Sequence, residues 1–196
     1  MASPIGHALA GLAVAWGADL RSANRPDSKT GTALALTCVA LAAAPDLDLL
    51  VTGLHRTVTH SLLSVVLVAV VAALMASRAS RTRATPAGHV LRVAIICASA
   101  WASHIGVDWI SADSSNPQGL QILWPFADTW FISGWDVFPG TERRRLLSEA
   151  SLRLNALALV TELVLMVPIL LGLWLVRVKT PPGLSSELAC GNHPPE

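Results

Sequence analysis

The sequence predicts an all-α protein, a multi-pass transmembrane bundle of about five helices, some of them short or partly interfacial. Two observations lead there. Hydrophobic residues make up 53% of the 196 residues and charged residues only 14%, against about a quarter charged in a soluble domain. The deficit coincides with long apolar runs such as Val65-Val66-Leu67-Val68-Ala69-Val70-Val71, the composition of a lipid-facing helix. The length suits one domain, read as residues 1–180, with a disordered tail over 181–196 that opens on Pro181-Pro182-Gly183.

The first helix is expected over about Ile5 to Ala18 and the second over about Thr32 to Ala44. Pro45 then disfavours helix in its predecessor. The third runs from near His60 to about Ser77, the fourth from Val90 to Ile110, and the fifth from Leu154 to Val178. Only the last three approach the roughly 20 residues that cross hydrocarbon. The first two are rich in Ala and Gly, which let helix backbones approach closely. They are expected to pack inside the bundle, tilted or partly interfacial; a re-entrant pair is the alternative. No Lys or Arg precedes Arg21, so no cleavable signal peptide is expected.

Charge suggests an orientation. The link between helices one and two holds Arg21, Arg25 and Lys29. The link between three and four holds Arg78, Arg81, Arg83 and Arg92, and the end of helix five holds Arg177 and Lys179. Nine of the fourteen basic residues thus share one face, which the positive-inside rule assigns to the cytoplasm. Arg143, Arg144 and Arg145 argue against that assignment. A net charge of +1 with no basic stripe excludes a nucleic-acid partner. Membrane lipid is the expected partner. Cys38, Cys97 and Cys190 show no metal-binding spacing and read as two small buried side chains and a tail thiol. The segment from Ser111 to Thr141 carries Trp124, Phe126, Trp130, Phe131, Trp135 and Phe138 in a turn-rich frame. It is expected to lie on the membrane beside the site described next, although an aromatic belt with no substrate role fits as well.

Ionisable residues collect where the helices end. His7 opens helix one, and Asp46 and Asp48 follow helix two. His55 and His60 precede or open helix three, and His104 and Asp108 close helix four. With helices alternating in direction, all these ends fall on one membrane face, opposite the basic links. Ionisable groups at membrane depth are costly and mark function. Imidazole with carboxylate is the donor set that zinc-like or manganese-like ions take. Each motif is ambiguous alone. His104 and Asp108 lie one turn apart and could merely hydrogen-bond. Asp46 or Asp48 could cap a turn, or two carboxylates so spaced could bridge paired ions, or one could bind metal while the other activates water. His60 could be a satisfied core histidine and His7 a packing residue, while Thr59 or Ser61 could cap helix three. Arg56 carries a planar fork suited to phosphate, or it snorkels. Glu162, inside helix five, should face the bundle interior. His89 falls on the basic face and His193 in the tail, and both are excluded. Together the four motifs point to a divalent metal centre, zinc expected and manganese the alternative. Seven donors exceed the four of a structural zinc site, so more than one ion is expected. Such centres bind phosphoester oxygens and activate water.

Gly6-His7, Pro45-Asp46-Leu47-Asp48, His55-Arg56-x-x-Thr59-His60-Ser61-Leu62-Leu63, Ser103-His104-x-x-x-Asp108, Gly119 and Trp124-Pro125-Phe126 form a set that resembles the YdjM-like family of LexA-regulated inner-membrane proteins, described as membrane-bound metal-dependent hydrolases. The resemblance covers about Gly6 to Phe126. Thr57 departs from it, standing where the family usually has Gly. It implies an inner-membrane location. The motif style is also distantly similar to zinc-dependent phospholipase C and P1-type nucleases, helical enzymes with clustered zinc ions, which implies phosphoester hydrolysis by analogy.

The reading is therefore a membrane-bound metal-dependent hydrolase acting on a phosphoester such as a lipid or lipid-linked headgroup, its site on the non-cytoplasmic face. The expected metal ligands are His7, Asp46, Asp48, His55, His60, His104 and Asp108. Asp48 is expected to orient or deprotonate the attacking water, and Arg56 to hold the phosphate. The alternative is a metal-binding membrane protein without catalysis, a sensor or a transporter. A transporter needs polar groups continuing across the bilayer, and only Glu162 lies deeper than the cluster. The remaining reading is a scaffold whose His and Asp serve only as caps.

Overall fold

A computed structural model of the chain describes residues 1–20, 28–51, 55–80, 87–142 and 147–179. Among them are five α-helices: α1 (Pro4–Leu20), α2 (Ser28–Ala43), α3 (Leu62–Ser80), α4 (Ala87–Trp109) and α5 (Glu149–Lys179). A 3-10 helix, Ala44–Leu50, continues α2. The described residues hold no strand beyond two isolated bridges, Ser111 with Phe138 and Leu120 with Phe131. Four stretches are long and apolar enough to cross a membrane: Gly31–Leu50, Leu62–Ala79, Gly88–Trp109 and Glu149–Val178. The chain is an all-α bundle of membrane composition.

One expectation is corrected. Helix two was to end at Ala44 and fall short of a span, but the helical path runs on to Leu50 and yields a 20-residue apolar stretch. Pro45 does not stop it, because it sits in the first turn of the 3-10 segment, where a missing N–H goes unneeded. Pro4–Ala18 remains shorter than a span.

Helix starts follow their caps. Ser3 precedes Pro4 and accepts the Gly6 N–H at 3.2 Å. Ser61 accepts the Ser64 N–H at 3.3 Å, which sets the start of α3 at Leu62 and leaves His60 in the turn before it. Ser148 accepts the Ser151 N–H at 3.2 Å, so α5 begins five residues earlier than its apolar run suggests. Each replaces an orphan donor's lost partner.

α1 packs against α2, α4 and α5, and α4 also packs against α2 and α3. The core between them is built from small side chains, among them Ala10, Ala15, Cys38, Ala42, Ala94 and Ala100. Gly11 brings α1 onto α2, since a Cβ there would lie 2.5 Å from the Cys38 carbonyl oxygen and 2.7 Å from the Ala42 Cβ. Large apolar side chains point outward instead. Val66, Leu67, Val71 and Leu74 on α3 and Leu157, Val160, Val164 and Leu171 on α5 are all exposed. Small residues inside and branched ones outside is the arrangement that lipid favours.

The link from Ser111 to Thr141 folds back onto the helix ends. Leu120 and Phe138 are its buried anchors, and backbone bonds tie it to Trp109, Ile110, Arg56 and Leu62. Gly119 adopts φ +92° against the Phe131 carbonyl, a conformation and a closeness that a side chain would forbid. Phe126 and Trp135 stay exposed, which leaves the aromatics of this segment divided between packing and surface. Arg21, Arg25, Arg81, Arg83, Arg143, Arg144, Arg145, Cys190, His193 and the tail lie outside the described residues.

Candidate metal centre

Asp46, His60, His104 and Asp108 each offer one donor atom within 4.8 Å of the others. They come from the 3-10 helix, the turn before α3, and α4. His7, on α1, stacks on His104 with ring centroids 3.7 Å apart. Except for Asp46, which is partly buried, these side chains are almost wholly buried.

The imidazoles are held from behind. The His104 Nδ1–H donates to the Ala42 carbonyl at 2.7 Å, which assigns the lone pair to Nε2. His60 Nδ1 faces Asp48 Oδ2 at 3.1 Å and Thr59 Oγ1 at 2.9 Å, turning its Nε2 the other way. The two Nε2 atoms then meet at 3.0 Å. A histidine whose second nitrogen is anchored to a carbonyl or a carboxylate is the usual arrangement of a metal-ligating imidazole.

Asp108 lies between the rings. Its Oδ1 accepts the Ala2 N–H at 3.0 Å and stands 3.4 Å from His7 Nε2. Its Oδ2 stands 3.2 Å from His104 Nε2 and 3.6 Å from His60 Nε2. Asp46 Oδ1 completes the group, 3.8 Å from His104 Nε2.

These residues fit a cation. Both ring nitrogens of His7 and Oδ2 of Asp108 are buried with no hydrogen-bond partner in the protein, a cost that folded proteins rarely bear. Three carboxylates, Asp46, Asp48 and Asp108, lie in or beside the cluster in apolar surroundings, which calls for positive charge. His60 responds to the same field. Burial acts against its imidazolium, but contacts with Asp108 and Asp48 outweigh that and push it up to about 9. A proton and a divalent ion compete for such a nitrogen.

Asp48 and His55 form a neighbouring pair rather than part of the four-donor group. Asp48 Oδ1 meets His55 Nδ1 at 2.7 Å. Its Oδ2 accepts from Thr59 Oγ1 at 2.5 Å and from the Arg56 N–H at 3.1 Å. The His55 side chain is a quarter exposed.

Arg56 takes φ +67°, and its side chain turns into the 111–141 segment. Its Nη1 donates to Asp113 Oδ2 at 2.6 Å, to Ser115 Oγ and to the Gly119 carbonyl at 3.3 Å. Its guanidinium carbon lies 5.3 Å from the Trp130 ring centre. Sequence reasoning missed Asp113, although Asp113-Ser114-Ser115-Asn116-Pro117 is a turn signature and its Oδ1 does accept the Ser115 N–H at 3.0 Å.

Burial works against the Asp113 carboxylate, yet the Gly119 N–H, Ser115 and the Arg56 guanidinium hold its carboxyl below the ordinary range. A depressed carboxyl contributes stability above the unfolded pKa and loses it as pH falls through the folded one. Arg56→Gln is therefore expected to speed amide exchange at Gly119 and Gln121 at neutral pH, since losing one partner of a buried pair costs ~3–5 kcal/mol. Unaltered chain should show that loosening only on acidification below the ordinary carboxylate range. Unchanged exchange in the variant would remove Arg56 as the anchor of this segment.

Glu162 is also fully buried and also has a structural partner. It accepts the Ser3 N–H at 2.5 Å and the Ser3 hydroxyl, and a Cβ on Gly6 would come 2.7 Å from its Cδ. A carboxylate at a helix N-terminus is favourable, and this one fixes the end of α1 that carries His7. Nothing in sequence spacing links residues 3 and 162.

The family model described as YdjM inner membrane protein matches residues 1–180. No curated protein and no solved structure matches the chain.

Proposed function

The chain belongs to the YdjM inner membrane protein family, and from that premise and the donor cluster we propose that it is a membrane-bound metal-dependent hydrolase acting on the phosphoester of a lipid or lipid-linked headgroup. The observation that carries this is the convergence of Asp46, His60, His104 and Asp108 within 4.8 Å around buried atoms with no partner of their own. The motif likeness to zinc-dependent phospholipase C and P1-type nucleases points the same way.

Zinc is the ion that this nitrogen and oxygen set favours, with manganese as the alternative. His60, His104, Asp46 and Asp108 would hold it. Asp108 presents one oxygen to His7 and the other to His60 and His104, so it would hold a cation together with those rings. The chemistry such ions supply when bound is polarisation of a phosphoryl oxygen and acidification of water.

The chain's own residues do the rest. Asp48 holds the Nδ1–H of His55, which leaves the other nitrogen of this partly exposed ring to take a proton from the attacking water. Asp48 also orients His60. Arg56 is a positioning residue, its Nη1 given to Asp113 and Ser115, rather than the phosphate contact expected from sequence. The four apolar stretches would make the chain multi-pass, with the centre on the face opposite the basic links.

A transporter finds less support, because Glu162 is engaged with Ser3 near the same end of the bundle. The test is elemental analysis of detergent-purified protein, followed by phosphoester assays before and after chelation. Stoichiometric metal is expected, with turnover lost on chelation and restored by zinc or manganese. Protein free of metal, or turnover indifferent to chelator, would reject the reading.

A further inference from the structure

A cleft of about 720 Å³ opens between the N-terminus of α1, the 3-10 helix and α5. Ile5, Leu47, Leu49 and Leu159 wall it, and Asp46 lies in its lining. Ile5, Leu47 and Leu49 are largely exposed, so the mouth is apolar. Two of its walls, Gly31–Leu50 and Glu149–Val178, are stretches of membrane-crossing composition. The mouth thus opens between two stretches of membrane-crossing composition. Its volume lies within the ~300–1,000 Å³ of sites that bury a small ligand, room for one hydrocarbon chain and not for a whole diacyl lipid.

We propose that this cleft seats the hydrocarbon chain of an amphiphilic substrate, entering sideways from the bilayer with its phosphate directed to Asp46 and the donors beyond. This deepens the phosphoester-hydrolase reading and rests on it for the identity of the headgroup. The apolar walls select the tail without hydrogen bonds, and among the described residues the only charged group that lines the cleft, Asp46, belongs to the donor cluster. Substrate choice then follows from two unlike ends of one pocket, a tail-seeking end and a donor end that would draw an anion through the cation it holds.

The experiment uses the full chain in phosphatidylcholine vesicles with zinc. The probes are hexadecyl phosphate and hexadecanol, each carrying a diazirine at mid-chain. Adducts are expected on Ile5, Leu47 and Leu159, with the phosphate probe well ahead of the alcohol. Leu159→Trp, or Leu47→Trp on the opposite wall should the first fold poorly, is expected to remove most of that labelling while bound metal is unchanged. The proposal is overturned if the cleft is labelled no more than Val66, Val70 and Leu74 on the outer face of α3. Equal labelling by the two probes, or labelling untouched in a folded Trp variant, would overturn it as well. Cleft labelling without phosphoester turnover keeps this proposal and removes the hydrolase reading. Turnover without cleft labelling does the reverse.

Discussion

Asp108→Asn is expected to strip the protein of stoichiometric divalent metal and of phosphoester turnover while leaving its helical content intact. Among the described residues Asp108 is the only carboxylate that contacts all three of His7, His60 and His104, and its Oδ2 has no hydrogen-bond partner of its own. An amide of the same shape keeps the bond from Ala2 but offers a cation no charge. Asp48→Asn makes the comparison. Asp48 stands behind His60 and His55, so its loss should weaken metal binding by the ~10–100-fold typical of an orienting partner, and Asp108→Asn by more. Competitive metal titration with elemental analysis measures both. Should Asp48→Asn cost as much as Asp108→Asn, Asp48 is a donor and the division of labour described above is wrong.

Gly11→Leu is expected to lower the unfolding temperature sharply and to weaken metal binding at a distance. The atoms that a side chain would strike are the Cys38 carbonyl and the Ala42 Cβ, which belong to or sit on the α2 backbone and cannot swing aside. Overpacking of this kind costs ~1–3 kcal/mol, sometimes more. The helices must part, and Ala42 moves with α2. Its carbonyl is the group that anchors His104, so the displacement reaches the centre. Gly17→Leu on the same helix is the control, since a Cβ there meets nothing within 4 Å. Thermal unfolding of the two variants side by side, with and without added zinc, checks the claim. Equal stability would show that the α1–α2 contact is not tight.

Much of the arrangement could be read from residue types. The membrane composition, the order of the five helices and the clustering of histidine and aspartate at their ends needed only periodicity and chemistry. What could not be read depends on direction. Asp46 and Asp48 are two apart, and only the 3-10 path past Pro45 turns one toward His104 and the other behind His60. The spacing admits either. The start of α5 was hidden because Ser148-Glu149 lies before the apolar run, although serine there is a cap signal. The pairing of Arg56 with Asp113 could not be read because the two lie 57 residues apart. Glu162 could not be interpreted without Ser3, 159 residues away.

The distance in sequence between the donors has a consequence for biogenesis. His7 leaves the ribosome about a hundred residues ahead of Asp108, and the two meet only when α4 has been made. At ~5–20 residues per second, the first histidine waits about 5 to 20 seconds for the carboxylate that completes its surroundings. An ion held by these donors would therefore be captured late, once α4 has been made.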